Sequence, residues 1–199
     1  MEIYLIRHGE CHDSTQDYFS IEKNTMDPPL NPKGIEQANK LAERLKHIHF
    51  DRIYTSDLAR ALLTSKIINN SIKSEIIISE NFREIDMGEI FLKSWNSYPE
   101  IYSKWLKHDE DIPYPNGENG NDVWERCYKE LKEIILLNFN RIAIVCHGGT
   151  IRSMICGMLN IPQQKRFYFG IPPMNCSITV LNFDKNEYYL HTFNDYSHL

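Results

Sequence analysis

An arginine and a histidine directly follow a short apolar run near the start of the chain. Residues Ile3 to Ile6 are apolar, and Arg7, His8 and Gly9 come next with no spacer. A guanidinium group can bind anionic oxygens, and an imidazole nitrogen can act as a nucleophile or carry a proton. Taken alone, however, these residues also fit a surface charge beside a structural histidine.

A second stretch has the same arrangement. Residues 141–146 are another largely apolar run, and His147, Gly148 and Gly149 follow it. Unbroken apolar runs predict parallel strands that are buried on both faces. Ligands bind at the carboxyl ends of strands in open α/β sheets. The sequence therefore predicts that the imidazoles of His8 and His147 face one site.

A third basic residue lies at the start of a predicted helix. Residues 52–55 predict a short strand, Ser56 and Asp57 are expected to cap the following helix, and Arg60 falls in its first turn. A helix N-terminus favours phosphate through its free N–H groups and partial positive charge. An arginine there adds two parallel donors. Alone, Arg60 would also fit a solvated helix charge.

The elements that must position these side chains alternate between strand and helix. Asn31 and Pro32 predict a helix start, and residues 94 to about 107 are expected to be helical. The pattern over residues 177–193 predicts a β-hairpin. We expect a three-layer α/β/α sandwich with a mostly parallel central sheet, in which the strands ending at Ile6 and Cys146 are adjacent.

Composition limits the class of protein. A chain of 199 residues with 42% hydrophobic content suits one domain. Its net charge of −5 argues against non-specific nucleic-acid binding, and no apolar run approaches the ~18 residues of a membrane span. The cysteines lack Cys-x-x-Cys spacing, which predicts reduced thiols, a cytoplasmic location and no zinc site. They are Cys11, Cys127, Cys146, Cys156 and Cys176.

Arg7-His8-Gly9-Glu10, with His147-Gly148 near residue 150, resembles the histidine phosphatase superfamily, also called the phosphoglycerate mutase-like family. The resemblance runs over nearly the whole chain and implies a single domain, 1–199, with that family's fold. Residues 54–64 are similar to the second signature, and Arg60 falls on its phosphate-binding arginine. Residues 82–88 match the segment that carries the proton-donating carboxylate. Glu84 falls on that position, and Asp86 is a second candidate.

The resemblance also implies roles for the site residues. His8 would be the nucleophile and Glu84 the proton donor, while Arg7, Arg60, His147 and Gly148 would bind the phosphoryl group, with positive charge from the arginines and His147. The family usually has an asparagine that helps to hold phosphate at the position of Ser14. Ser14 is shorter and can donate one hydrogen bond. Residues of about 90–120 are expected to form a cap near the site. The loop over residues 10–30 is expected to line the site, because it directly follows the strand that carries His8.

Together these features predict a metal-independent phosphomonoester hydrolase that works through a phosphohistidine on a small phosphorylated metabolite, with no cofactor. A cofactor-dependent phosphoglycerate mutase is the alternative enzyme, and an inactive phospho-ligand binding module is the alternative of another class. Residues 103–105 and 112–118 resemble the α-ribazole phosphatase branch. The oligomeric state stays open.

Overall fold

A computed structural model describes residues 1–14, 16–91, 93–170 and 172–199. Its strands are numbered in chain order: β1 (Glu2–Arg7), β2 (Phe19–Ser20), β3 (Thr25–Met26), β4 (Arg52–Thr55), β5 (Ile76–Ile78), β6 (Arg141–Cys146), β7 (Ile178–Asp184) and β8 (Glu187–Asp195). Strands β2 and β3 form a small separate hairpin. The others form one sheet in the order β5-β4-β6-β1-β7-β8.

The sheet is mixed, with a parallel centre. Strands β5, β4, β6 and β1 pair in parallel, and β7 and β8 extend the sheet as antiparallel strands. Arg7 of β1 pairs with Cys146 of β6. The two apolar runs therefore end side by side, and the predicted adjacency and the mostly parallel sheet are confirmed.

Helices cover both faces of the sheet, as expected for a sandwich. The α-helices within the described residues are α1 (Pro32–Leu45), α2 (Ala59–Ile72), α3 (Pro99–Trp105), α4 (Gly120–Leu136) and α5 (Gly148–Met158). Ile142 and Ile144 of β6 belong to the core beneath α4 and α5, whereas Ala143 and Val145 belong to the core beneath α1 and α2. Successive side chains of a strand point to opposite faces, so one apolar run contributes to both cores.

Local signals explain several element boundaries. The side chain of Asn31 accepts a hydrogen bond from the Gly34 N–H and caps α1, and Pro32 is the first helical residue. Lys185 and Asn186 have positive φ angles of 52° and 64° and form the turn of the β7–β8 hairpin, which suits its right-handed twist. Both predictions are confirmed. None of the helices described is long and apolar enough to cross a membrane.

The start of α2 differs from the prediction. Leu58 is the N-cap residue, and its side chain makes no capping hydrogen bond. The first backbone N–H of the helix, at Ala59, donates instead to Asp27 Oδ1 at 2.7 Å. Asp57 pairs with Arg83. The predicted cap by Ser56 and Asp57 is therefore wrong, because a carboxylate distant in sequence takes that place.

The helix expected over residues 94–107 is shorter. A 3₁₀ helix covers Trp95–Ser97, and α3 then runs from Pro99 to Trp105. Proline cannot donate a backbone hydrogen bond, so Pro99 begins a new helix instead of continuing the preceding turn.

Candidate active site

The two histidines meet where β1 and β6 end. The ring centroids of His8 and His147 are 5.0 Å apart and the rings are tilted by 57°. His8 is 4% exposed and His147 is fully buried. The prediction that the two imidazoles face one site is confirmed, and a single phosphoryl group can reach both rings.

The ring of His8 is held by the backbone beside it. Nδ1 lies 2.6 Å from the carbonyl oxygen of Gly9. A carbonyl only accepts, so Nδ1 is the donor and Nε2 keeps its lone pair. The Gly9 N–H donates to Thr64 Oγ1 at 3.1 Å. A Cβ atom at Gly9 would lie 2.5 Å from the carbonyl oxygen of Gly34. The backbones at positions 9 and 34 therefore lie so close together that residue 9 must be glycine. This contact fixes the Gly9 carbonyl, which in turn orients the His8 ring.

Both imidazoles are neutral at pH 7. Burial, followed by the charges of Arg60 and Arg7, lowers the pKa of His8 well below its usual value. Burial and the charge of Arg60 likewise lower the pKa of His147 well below its usual value. Neutrality suits a nucleophilic His8. Burial first, and the charge of Arg60 second, oppose the positive charge expected of His147, so Arg7 and Arg60 are the cations of this site.

Several buried polar atoms around the two histidines have no hydrogen-bond partner among the described residues. Both ring nitrogens of His147 and Nε of Arg7 are buried without a hydrogen-bond partner in the described part of the chain. Arg7 Nη1 donates to the Pro173 carbonyl at 2.6 Å. A Cβ atom at Gly148 would lie 3.4 Å from Arg7 Nε, so the guanidinium lies against the start of α5. Buried donors that lack partners are costly unless a ligand satisfies them.

Arg60 reaches the site from the first turn of α2. Its side chain is buried, and Nη1 donates to the Met26 carbonyl at 3.3 Å and lies 3.8 Å from Asp27 Oδ1. Burial lowers the pKa of Arg60, and the carboxylate of Glu84 counteracts part of that lowering. Burial also lowers the pKa of Arg7, and the carboxylate of Glu84 again counteracts part of that lowering. Strand β1, helix α2 and the segment around Glu84 therefore meet at one place.

Glu84 lies at the N-terminus of α5. Its Oε1 accepts hydrogen bonds from the N–H groups of Ile85 at 2.9 Å and Thr150 at 3.0 Å, and its Oε2 accepts from the Gly149 N–H at 3.1 Å. Free N–H groups at a helix start favour a carboxylate. These hydrogen bonds hold the Glu84 carboxylate against Gly149, the residue that follows Gly148.

Glu84 does not pair with the adjacent Arg83. Arg83 Nε and Nη2 instead donate to the two carboxylate oxygens of Asp57, at 2.8 and 2.6 Å. Glu84 makes no ion pair within the described residues, which leaves its carboxylate available to a ligand.

The two other candidates have different surroundings. Asp86 Oδ1 accepts the N–H of Gly88 at 2.8 Å and so shapes a turn; Gly88 has a φ of 52°. Asp86 stays the second candidate acid. Ser14 is exposed and makes no side-chain hydrogen bond to the part of the chain that the structure describes. Its contact with phosphate stays a prediction.

Glu84 lines two cavities. One of about 310 Å³ includes Lys23, Asn24 and Thr25, so the loop over residues 10–30 reaches the site as expected. The other, of about 180 Å³, includes Tyr114 and Phe167. Tyr114 packs with Trp95 and Trp105 at centroid distances of 5.7 and 5.8 Å. This aromatic cluster brings the stretch over residues 90–120 close to Glu84.

Sequence reasoning missed several supporting residues. Thr64, Thr150 and Asn175 act through hydrogen bonds to Gly9, Glu84 and the His8 backbone, and only the fold brings them there. One further residue has a visible signal. Arg152 interrupts an apolar helix pattern four residues after Gly148, and an arginine at a buried helical position predicts a specific partner.

The geometry agrees with comparisons to known proteins. The family model described as histidine phosphatase superfamily (branch 1) matches residues 3–196. The chain belongs to this superfamily. The resemblance drawn from Arg7-His8-Gly9 and His147-Gly148 is confirmed.

Relatives within the superfamily carry different names. The chain is 27% identical to phosphoserine phosphatase 1 of Hydrogenobacter thermophilus, with 100% of this chain and 94% of the relative covered. It is 26% identical to the probable phosphoglycerate mutase GpmB of Escherichia fergusonii, with 100% and 95% covered. A solved Escherichia coli structure, provisionally assigned as an alpha-ribazole-5'-P phosphatase, matches with a TM-score of 0.81 at 21% identity over 98% and 96% of the chains. That likeness confirms the fold, and membership of the α-ribazole branch stays a prediction.

Proposed function

We propose that this superfamily member is a phosphomonoester hydrolase that acts through a phosphohistidine on His8. The observation that carries the proposal is the state of that ring. It is buried and neutral, and its Nδ1 proton is held by the Gly9 carbonyl. Its other nitrogen is free for attack, and the unpartnered donors of Arg7 and His147 lie beside it.

The first half-reaction transfers the phosphoryl group to His8. Arg7, Arg60 and His147 hold the phosphoryl oxygens, and the lone pair of His8 Nε2 forms a bond to phosphorus in line with the ester oxygen. The bond from phosphorus to that oxygen breaks. The oxygen keeps the electron pair and takes a proton from Glu84, and the free alcohol leaves.

The second half-reaction returns the enzyme to its starting state. Water attacks phosphorus as Glu84 takes a proton from it, and the bond to Nε2 breaks with its electron pair returning to His8. Both Glu84 oxygens already accept hydrogen bonds from backbone N–H groups, an arrangement that orients the carboxylate as a base. Inorganic phosphate then leaves.

A mutase would follow the same first step and must then keep water from the phosphohistidine. The relative named as a probable phosphoglycerate mutase keeps this alternative open. Hydrolysis is favoured by the larger cavity beside Glu84. Its arginines are already paired, Arg83 with Asp57 and Arg126 with Glu118. A doubly phosphorylated cofactor would need unpaired cations in this cavity to bind its second phosphate group.

The decisive experiment measures hydrolysis of p-nitrophenyl phosphate together with acid-labile phosphate on the protein. We expect turnover without added metal, and we expect His8→Ala to abolish both turnover and labelling, since no other group is placed for in-line attack. The exposed His49 provides the control, and His49→Ala should behave as wild type. Labelling that survives in His8→Ala would refute the proposed nucleophile.

Two further arms separate the alternatives. EDTA should leave activity intact, because Arg7 and Arg60 supply the positive charge; activity that is lost on chelation and restored by a divalent ion would contradict metal independence.

No turnover, together with calorimetric binding of inorganic phosphate, would favour the binding module. Transfer of label from the protein to a glycerate faster than to water would favour the mutase.

A further inference from the structure

The smaller cavity beside Glu84 has the properties of a leaving-group site. It measures about 180 Å³, which suits a group of a few heavy atoms. Met87, Tyr114 and Phe167 provide an apolar and aromatic wall, and Arg152 and Arg166 contribute guanidinium groups. A proton donor must lie within hydrogen-bond reach of the leaving oxygen, so the leaving group must extend into a space that adjoins Glu84.

Arg152 is a buried cation without a carboxylate partner. Its side chain is 8% exposed. Nη2 donates to the Gly170 carbonyl, while Nε has no hydrogen-bond partner in residues 1–14, 16–91, 93–170 and 172–199. No carboxylate of the described residues lies within 4 Å of the guanidinium. The three residues outside the described ranges, Thr15, Leu92 and Ile171, have no carboxylate in their side chains. A buried unpaired charge is expensive, which points to an anionic ligand.

The other cation of this cavity is already neutralised. Arg166 Nη1 lies 2.5 Å from Asp111 Oδ1 and donates to the Gln163 carbonyl at 2.9 Å. Arg152 is therefore the cation of this cavity that no carboxylate of the described residues contacts within 4 Å, although the charge of Glu84, which lines the same cavity, counteracts part of the lowering of the Arg152 pKa by burial. A guanidinium presents parallel N–H donors that match a carboxylate. A second phosphate dianion would exceed this single charge and would face the carboxylate of Glu84.

We propose that Arg152 binds a carboxylate on the leaving group, so that the substrates are phosphate esters of small hydroxy acids. This inference rests on the proposed phosphatase function and deepens it. The ester oxygen lies at Glu84, the carbon skeleton lies against Met87 and Tyr114, and the carboxylate lies at Arg152. An alcohol without the carboxylate leaves the guanidinium unpartnered.

The test compares substrates that differ only in the carboxylate. O-phosphoserine is compared with O-phosphoethanolamine, and 3-phosphoglycerate with glycerol 3-phosphate, as the ratio of kcat/KM within each pair. A hydrogen bond to a charged group corresponds to a factor of roughly 10–100, so we expect a wild-type ratio of that size in at least one pair. Arg152→Met should bring the ratio close to one, and Arg152→Lys, which keeps the charge, should retain part of it.

Controls separate this inference from folding and from the proposed function. Arg141→Met changes an arginine at the opposite end of β6, where it pairs with Glu2, and should keep the wild-type ratio. Inhibition by inorganic phosphate reports whether the phosphate site of each Arg152 variant is folded. Wild-type hydrolysis of p-nitrophenyl phosphate with no carboxylate preference in either pair, or a preference that survives in a folded Arg152→Met, would overturn the inference alone. No hydrolysis of any ester would instead reject the proposed function.

Discussion

At the scale of single residues, the site places positively charged arginines beside neutral histidines. Arg60 is buried and Arg7 is half-buried, and their positive charges, added to the burial of the rings, lower the pKa of His8 and His147. The cations can thus gather phosphate oxygens while the nucleophile keeps its lone pair. The carboxylate of Glu84 acts on both arginines, and its oxygens are oriented by N–H groups at the start of α5.

Glu84→Gln keeps the shape of the side chain but removes the proton that it would donate. An alkoxide leaving group needs that proton in the transition state, whereas p-nitrophenolate needs it less. We expect an alkyl phosphate to lose about 10²–10⁴-fold in the first step, as is typical of general acid catalysis, and the aryl phosphate clearly less. Single-turnover measurement of both substrates gives the comparison. Equal losses would assign Glu84 to structure or phosphate binding, and Asp86 would be the next acid to test.

At the scale of elements, two helix N-termini converge on the site, and each is capped by a carboxylate from elsewhere in the chain. Glu84 receives N–H groups of α5, and Asp27 receives the Ala59 N–H of α2. Asp27 also lies 3.8 Å from Arg60 Nη1. A cap that touches a ligand-binding side chain can position it as well as stabilise the helix.

Asp27→Ala should therefore raise KM for phosphate esters and the inhibition constant of inorganic phosphate more than it lowers kcat. The lost cap should also cost about 1 kcal/mol of stability. Asn119 caps α4, a helix without a phosphate-binding arginine, by accepting the Asp122 N–H at 2.9 Å. Asn119→Ala is the control, and it should cost similar stability with no change in phosphate affinity. Equal effects of both variants on KM would show that Asp27 acts only through stability.

At the scale of the whole molecule, burial of the site links function to acid stability. His8 and His147 are buried directly after β1 and β6, the strands that contribute side chains to both apolar cores. Their pKa values are lower in the folded protein than in the unfolded chain, so the unfolded chain binds more protons in mild acid. Linkage then makes the folded state lose stability as the pH falls below the unfolded value.

We expect the free energy of unfolding to be highest above pH ~6.5 and to fall by about 1.4 kcal/mol per pH unit for each ring below it. Burial lowers the pKa of His108 and His198 as well, which adds to the same trend. Urea titrations between pH 7.5 and 5.0 give the slope of the unfolding free energy against pH. This pH range lies above that in which most carboxyl groups titrate. His147→Gln should flatten this slope. A slope unchanged by this substitution would contradict a neutral, buried His147.

The sequence by itself determined the elements and most of the site, because these depend on local signals. Two apolar runs that each end in histidine and glycine predicted adjacent strands and paired imidazoles, and Asn31-Pro32 predicted the start of α1. Tertiary structure decided what depends on distant partners. The cap of α2 comes from Asp27, the neutrality of His147 comes from burial beside arginines, and the unpaired state of Arg152 follows from which carboxylates the fold places near it. Periodicity and capping patterns act over a few residues, whereas desolvation and charge pairing depend on the whole packed chain.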